Sequence, residues 1–153
     1  MKKYLQKKLN NEKGMTLIEL LAVIVIIAII AAIAIPAISG IIENSRVGAI
    51  KSDAQNVISA GELYFTDAPT SVTSVTLDDL ATNGFVEDVG SFDGAAATTV
   101  FVTRSTSTTP TSINGIGQTG NINIEFTTAT RDEIESVANS ARATDAPVAI
   151  TED

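Results

Sequence analysis

The side chains that could do chemistry in this chain are carboxylates and hydroxyls, because its 153 residues include no histidine and no cysteine. Without those two residue types, the usual nucleophile–base triads, thiol chemistry and zinc or haem sites are nearly excluded. The acidic pairs Asp78/Asp79 and Glu87/Asp88 have the composition of a general acid and base, but such pairs are more often a solvated surface. We therefore expect a protein that is not an enzyme.

One short stretch gives a weak candidate for a metal site. Asp88, Ser91 and Asp93, with Gly90 and Gly94 beside them, supply the oxygen atoms that calcium prefers in a tight loop. Their spacing is not that of an EF-hand, so we expect no metal and keep calcium as the alternative.

Glu19 is the residue whose position most needs a physical reason. It directly precedes an uncharged run, and a carboxylate inside an apolar membrane segment costs about 2.5–3.5 kcal/mol at the bilayer centre and less near an end. A cut after Gly14 would give Met15 a free amino group and place Glu19 in the first turns of the new helix. There the helix dipole favours a carboxylate, and Glu19 can neutralise an ammonium of its own chain or of a neighbour. A carboxylate that snorkels at the membrane edge is the alternative.

The element that positions Glu19 is a long apolar helix. The uncharged run from Leu20 to Ile42 has 23 residues. A helix of that length measures roughly 34 Å, enough to cross a hydrocarbon core of about 30 Å. Pro36 lacks an N–H and is expected to kink or loosen this helix, and Gly40 adds to the effect.

The next segment, from Glu43 to Phe65, changes from apolar on all sides to amphipathic. Its apolar residues repeat at steps of three and four, with charged residues mostly between them. The pattern predicts one helix from Met15 to about Phe65, whose second half packs on a globular domain. The predicted buried stripe is Val47, Ile50, Ala54, Val57, Ile58, Gly61, Tyr64 and Phe65.

The N-terminal order of residues resembles the class III signal and first helix of type IV pilins and pseudopilins. A basic leader is followed by Gly14, by the sequence Met-Thr-Leu-Ile-Glu at 15–19, by the aliphatic run and by Pro36. The resemblance covers about the first 65 residues. The family usually has Phe where this chain has Met15, and many members have a C-terminal disulfide that this chain lacks.

That resemblance implies roles for individual residues. A prepilin peptidase would cut between Gly14 and Met15, and the new amino group of Met15 would be methylated. Glu19, together with Thr16 and Pro36, would then act in assembly, with Glu19 pairing with the N-terminus of a neighbouring subunit. No cofactor is implied.

The charge distribution predicts the orientation in a membrane. Residues 1–14 carry five lysines and one glutamate, a net of +4, which leaves 5 basic and 17 acidic residues and a net of −12 for the remainder. By the positive-inside rule, the basic end stays in the cytoplasm and the acidic head lies outside. Such a head is not expected to bind nucleic acid in bulk, because phosphate contacts need clustered Lys and Arg.

We expect an α+β fold in which a long N-terminal helix packs on a small antiparallel sheet. The expected segments are a leader at 1–14, a transmembrane or filament-core helix at 15–42, the amphipathic half of the helix at 43–66 and a globular head at 67–153.

Within the head, the sequence predicts several short elements. They are an extended segment at 72–77, a short helix over 77–86 closed by Gly84, a strand over 98–104, a loop at 105–112, a turn at 113–120, a strand over 121–128 and an edge strand at 148–150. The strands at 98–104 and 121–128 are expected to be antiparallel neighbours. A last helix begins at a Thr130/Glu133 capping box, with Ile134, Val137, Ala138 and Ala141 as its apolar stripe.

The function expected from the resemblance is structural. The chain would be a membrane-bound precursor that becomes the major pilin of an extracellular type IV pilus, with its own copies, the prepilin peptidase and a membrane assembly platform as partners. A pseudopilin of a type II secretion or competence system is the first alternative. A Sec-secreted domain or a singly anchored surface protein is a more remote one. Glu19 inside the apolar run, the length of that run and Pro36 argue against an ordinary signal peptide.

Overall fold

The computed structural model describes residues 2–93, 99–140 and 148–152, with side chains described from Leu17 to Ile150 within those ranges. The elements, in chain order, are helix α1 (Lys2–Asp67), strand β1 (Ser74–Thr76), helix α2 (Leu77–Thr82), a 3₁₀ turn (Gly90–Phe92), strands β2 (Phe101–Thr103), β3 (Ser112–Thr119) and β4 (Ile122–Thr130), helix α3 (Arg131–Ser136) and strand β5 (Val148–Glu152). The chain divides into two compact units, Met1–Ile41 and Ile42–Asp153, which we call the N-terminal unit and the head unit.

In the N-terminal unit, helix α1 begins at Lys2. The helix therefore contains the leader segment as well as the segment from Met15 that the sequence predicted to be helical. The helix runs through Pro36 without a break. In the same turn, the hydroxyl of Ser39 donates to the carbonyl of Ile35 at 3.1 Å. Side-chain bonds of this kind compete with the main-chain ladder, as expected where a proline has removed one N–H.

In the head unit, the second half of α1 buries the predicted stripe. Val47, Ile50, Ala54 and Ile58 are fully buried. Gly61 lies in the same stripe, where a Cβ atom would come within 2.7 Å of Cγ1 of Val102 on β2. The missing side chain therefore lets the sheet approach the helix closely.

The head unit contains a five-stranded antiparallel sheet in the order β1-β2-β3-β4-β5. Ile122, Ile124 and Phe126 of β4 point into the core, as their alternation predicts. The prediction that β2 and β4 are neighbours is wrong, because β3 lies between them. The predicted edge strand is confirmed, since β5 pairs with β4 at one edge of the sheet.

The predicted turn at 113–120 is wrong because most of this segment is β3. Its glycines are there for close packing: a Cβ on Gly117 would lie 2.6 Å from Cγ2 of Ile50, and one on Gly115 would lie 2.6 Å from Cγ2 of Val100. The reversal of the chain occurs at residues 120–121, where Gly120 has a φ of +65°. A glycine with positive φ is what a two-residue hairpin loop requires.

The two short helices have the predicted caps. Gly84, with a φ of +77°, donates its N–H to the carbonyl of Ala81, and Phe85 donates to Leu80, which together form a Schellman motif after α2. The Thr130/Glu133 capping box begins α3.

Helix α3 is shorter than predicted. It ends at Ser136, because Val137 is extended with a ψ of 121°, so the predicted stripe does not continue through Ala138. Ala141 lies outside the described residues.

Candidate assembly surface

The N-terminal unit exposes a long apolar helix. Every Leu, Ile and Val side chain from Leu17 to Ile41 has between 47 and 70% of its surface exposed. The span from Leu17 to Asp67 has a mean hydropathy of 3.2 in its most apolar window, and by length and composition it is the one described helix able to cross a membrane. Apolar surface of this extent needs lipid or a protein partner to cover it.

Glu19 is the one charged residue between Leu17 and Ile42, and its side chain is exposed. Pro36 is exposed on the same helix, but 17 residues separate the two, which is roughly 25 Å along the axis. They therefore do not form one compact site. Gly14, Met15 and Thr16 lie on the helical backbone, and their side chains are outside the described set.

The head unit exposes the face of α1 opposite the buried stripe. Asp67 adds an exposed charge at the end of this face, but no charged residue lies on it from Ser45 to Leu63. This face, which we call the outer seam, consists of Ser45, Ala49, Ser52, Asn56, Ser59 and Leu63, all of them exposed. The six residues follow one another at steps of four and three, the repeat by which helices pack side by side. Leu63 has 58% of its surface exposed.

Four charged residues of this half of α1 contact the rest of the head, namely Arg46, Lys51, Asp53 and Glu62. Arg46 donates to the side-chain oxygen of Asn121 at 2.7 Å, in the loop between β3 and β4. Asp53 accepts from the main-chain N–H of Ser91 at 2.8 Å and from its hydroxyl at 2.6 Å.

Two further contacts hold the segments around α3. Lys51 donates to the carbonyl of Val137 and to the side-chain oxygen of Asn139, the latter at 3.2 Å. Burial lowers the pKa of Lys51, and the charge of Glu135 opposes that shift. At the other end, Arg131 pairs with Glu62 at 3.1 Å and donates to the hydroxyl of Ser59 at 3.3 Å.

Arg104 closes the carboxyl end of α1. Its Nη2 donates to the carbonyls of Phe65 at 2.9 Å and Ala68 at 3.0 Å, and its guanidinium lies 4.9 Å from the centre of the Phe65 ring. A cation is favourable at this end of a helix, where carbonyls lack their helical donors. The sequence does not predict this role, because Arg104 is 36 residues or more from the groups it contacts.

Two of the weak calcium candidates have hydrogen-bond partners within the protein. Ser91 gives its hydroxyl to Asp53, and Asp88 accepts from the N–H of Gly90 at 2.9 Å. Within the described ranges, no group of three or more acidic residues could hold a metal ion. Gly94, which the sequence placed beside these residues, is outside those ranges.

The acidic pairs also have local roles. Asp79 accepts a hydrogen bond from the hydroxyl of Thr76 at 2.7 Å, and its N–H donates to the same hydroxyl at 3.1 Å. This contact caps the start of α2.

Comparison with known proteins identifies the N-terminal segment. Residues 9–35 match the prokaryotic N-terminal methylation motif, which is the class III signal. No curated protein and no solved structure matches the chain. The signal lies at the start of an exposed apolar helix whose second half packs on a small antiparallel sheet, and it supports a relationship of the chain to type IV pilins and pseudopilins.

Proposed function

We propose that the chain is the major subunit of a type IV pilus. Proteins of this family are structural rather than enzymatic. The observation that carries the proposal is the exposed apolar helix from Leu17 to Ile41. This helix begins inside the matched signal, residues 9–35, and continues past its end. In water this surface is unstable, but it can be covered first by lipid in the precursor and then by neighbouring helices in a filament.

The precursor is anchored in the cytoplasmic membrane with its basic leader inside. A prepilin peptidase removes residues 1–14, cutting between Gly14 and Met15, and the new N-terminus of Met15 is methylated. A membrane assembly platform then transfers the subunit into the filament, which leaves the acidic head outside the cell. The positive-inside asymmetry of the sequence supports this orientation.

Glu19 sets the position of each subunit. After the cut, its carboxylate lies one helical turn from the chain's amino group, and a neighbouring subunit brings a second ammonium to the same apolar surroundings. Pairing with that ammonium is strongly favoured, because an unpaired charge in such surroundings is costly. Thr16 contributes to the same end of the helix, and Pro36 adapts the helix to its neighbours.

The N-terminus and mass of protein sheared from the cell surface test this proposal. We expect high-molecular-weight filaments whose chain begins at methylated Met15. Recovery of the processed chain from the membrane fraction, with none in sheared filaments, would favour a pseudopilin. A soluble monomer that begins near residue 35 would have lost Glu19 and would refute both.

A Glu19→Ala variant tests the assembly role separately. We expect it to reach the membrane and fold, but to enter filaments poorly. Asp78→Ala, which removes an exposed carboxylate of the head, is the matched control and should assemble normally. Equal incorporation of the two variants would remove Glu19 from the mechanism.

A further inference from the structure

We propose that Lys51 of α1 and Asn139, which follows the end of α3, become joined by an isopeptide bond that forms in the folded head and releases ammonia. The bond links the long helix to the chain segment beyond α3, in a protein that has no cysteine with which to form a disulfide. The inference does not depend on the proposed function, because every group that the reaction needs lies in the head unit of one chain.

The two reacting side chains are already in contact. Nζ of Lys51 donates to Oδ1 of Asn139 at 3.2 Å and also donates to the carbonyl of Val137. Because Cγ of Asn139 is bonded to Oδ1, Nζ lies within about 4.4 Å of the carbon that it attacks. Val137 is extended and packs against the core, which fixes the carbonyl that anchors Nζ. Groups held close to roughly 3–3.5 Å react far faster than the same groups free in solution.

Gly48 makes room for the amide of Asn139 beside helix α1. A Cβ atom on Gly48 would lie 3.0 Å from Nδ2 and 3.9 Å from Cγ of Asn139. The missing side chain therefore lets the amide approach the helix backbone closely. An open cavity of about 250 Å³ surrounds the contact, through which released ammonia reaches the solvent. It is lined by Gly48, Lys51, Ser52, Gln55, Glu135 and Asn139.

Glu135 is the group that can move the proton. It lines the same cavity, and its charge acts on Lys51. Burial lowers the pKa of Lys51 and so favours the neutral, nucleophilic amine, while the charge of Glu135 opposes that shift. A lysine, an asparagine and a carboxylate are together sufficient for an amide exchange.

The reaction involves no oxidation or reduction. Lys51 first loses one proton to solvent, and the lone pair of its neutral Nζ forms a bond to Cγ of Asn139. The carboxylate of Glu135 takes a second proton from Nζ and gives it to Nδ2. The bond between Cγ and Nδ2 then breaks, so ammonia leaves, the new amide remains and Glu135 is again a carboxylate.

Mass spectrometry of the full chain, folded in detergent, tests the bond. We expect a chain that is lighter than its sequence predicts by the mass of one ammonia molecule. After trypsin digestion, residues 47–104 should be joined to residues 132–142 in one branched peptide, because the modified Lys51 is no longer cleaved. Chain kept unfolded in urea should retain its full mass and begin to lose ammonia on refolding. A folded chain that still has its full mass after prolonged incubation would overturn the proposal.

Lys51→Arg distinguishes this bond from another reaction with the same mass change. Arginine keeps the positive charge and the hydrogen-bond donors but is not a nucleophile of this kind, so the variant should retain its full mass. A succinimide formed by Asn139 with the main-chain nitrogen of Ser140 also releases one ammonia. Loss of ammonia that persists in Lys51→Arg would therefore refute the isopeptide bond.

Glu135→Gln tests the proton transfer separately. Glutamine has a similar size but does not accept the proton, so ammonia loss after refolding should be at least about tenfold slower, with the same branched peptide as the final product. Asp132→Asn removes an exposed carboxylate from the same helix and should react at the wild-type rate. Equal rates for Glu135→Gln and Asp132→Asn would remove Glu135 from the reaction.

Discussion

Arg104 shows how one side chain can join the end of a helix to a sheet. It donates to two main-chain carbonyls, at Phe65 and Ala68, and covers the Phe65 ring. By contrast, Arg131 makes an exposed ion pair with Glu62, with 41 and 48% of the two side chains exposed. Water competes far more for the exposed Arg131–Glu62 ion pair than for the hydrogen bonds of Arg104.

We therefore expect the same substitution to have different effects at the two arginines. Arg104→Met should lower the free energy of unfolding by about 1.5–3 kcal/mol, because two charge-assisted hydrogen bonds are lost. Arg131→Met should cost about 0–1 kcal/mol. Urea unfolding of the mature chain in detergent, followed by the fluorescence of Tyr64, measures both. Equal costs would mean that Arg104 is not the cap of α1.

Glu133 gives a prediction about pH. Its hydrogen bonds with the hydroxyl and then the N–H of Thr130 lower the pKa of its carboxyl below the ordinary value. Because the folded pKa is the lower one, the stabilisation is present above the ordinary pKa of 4.5 and is lost as the pH falls through the folded pKa.

Glu133→Gln isolates this effect, because glutamine can keep the capping box but does not titrate. We expect the wild type to lose more stability than the variant when the pH is lowered from neutral into the acid range. Urea unfolding of both chains across that range measures the difference. A gap between the two chains that stays constant with pH would contradict the assignment.

At this scale, local signals were readable in the sequence and distant ones were not. The two residues of the capping box are three positions apart, and Gly84 comes two residues after a short helix, so each pattern implies its own geometry. Arg46, Lys51 and Arg104 act on groups 36 to 88 residues away, and their partners depend on how the head folds. Composition alone could not identify those contacts.

Among the elements, β3 departs most from its sequence pattern. Three glycines between 113 and 120 predict a turn, yet β3 is a central strand of eight residues. Gly115 and Gly117 are tolerated in it because Val100, Ile50 and the Phe92 ring occupy the space where their side chains would be. Strand glycines with this role cannot be told from turn glycines without the packed neighbours.

Gly117→Ala should therefore destabilise the head. The added methyl group meets Ile50 at 2.6 Å and the ring of Phe92 at 3.1 Å, and overpacking of this kind typically costs about 1–3 kcal/mol. Gly40→Ala is the matched control, because its methyl group meets nothing within 4 Å. Urea unfolding should show a lower midpoint for the first variant and no lowering of the midpoint for the second.

The long helix was the most predictable element. Its apolar run and its amphipathic stripe are each repeated over several turns, so single exceptions do not obscure them. The end at Asp67 follows from Ala68-Pro69, since a proline disfavours helical backbone in the residue before it. The short head elements have no such repetition, which is why the order of their strands was not predicted correctly.

At the scale of the whole molecule, the main physical property is a large negative net charge. Residues 15–153 have a net charge of −12, and the described basic side chains of the head make internal contacts. In a filament, acidic heads lie close together, and their repulsion is screened over about 8 Å at physiological ionic strength but only over about 30 Å at 0.01 M.

Filaments should accordingly lose subunits more readily at low ionic strength. We expect the mass of sedimentable filaments to fall when sheared filaments are dialysed from physiological salt to 0.01 M salt. An uncharged osmolyte should not prevent this loss unless salt is also present. Heads with Asp78→Asn and Asp132→Asn together should tolerate lower salt. Filament mass that is independent of salt would show that the heads do not repel one another in the assembly.

Helix α1 runs as one unbroken element from Lys2 to Asp67, and every strand of the head comes after it in the chain. In the filament that we propose, pulling force passes from subunit to subunit along these helices and not through the strands. A cysteine-free sheet can therefore coat a fibre under tension without itself being stretched. Its loops are free to change in length and sequence while the strength of the fibre stays with the helix.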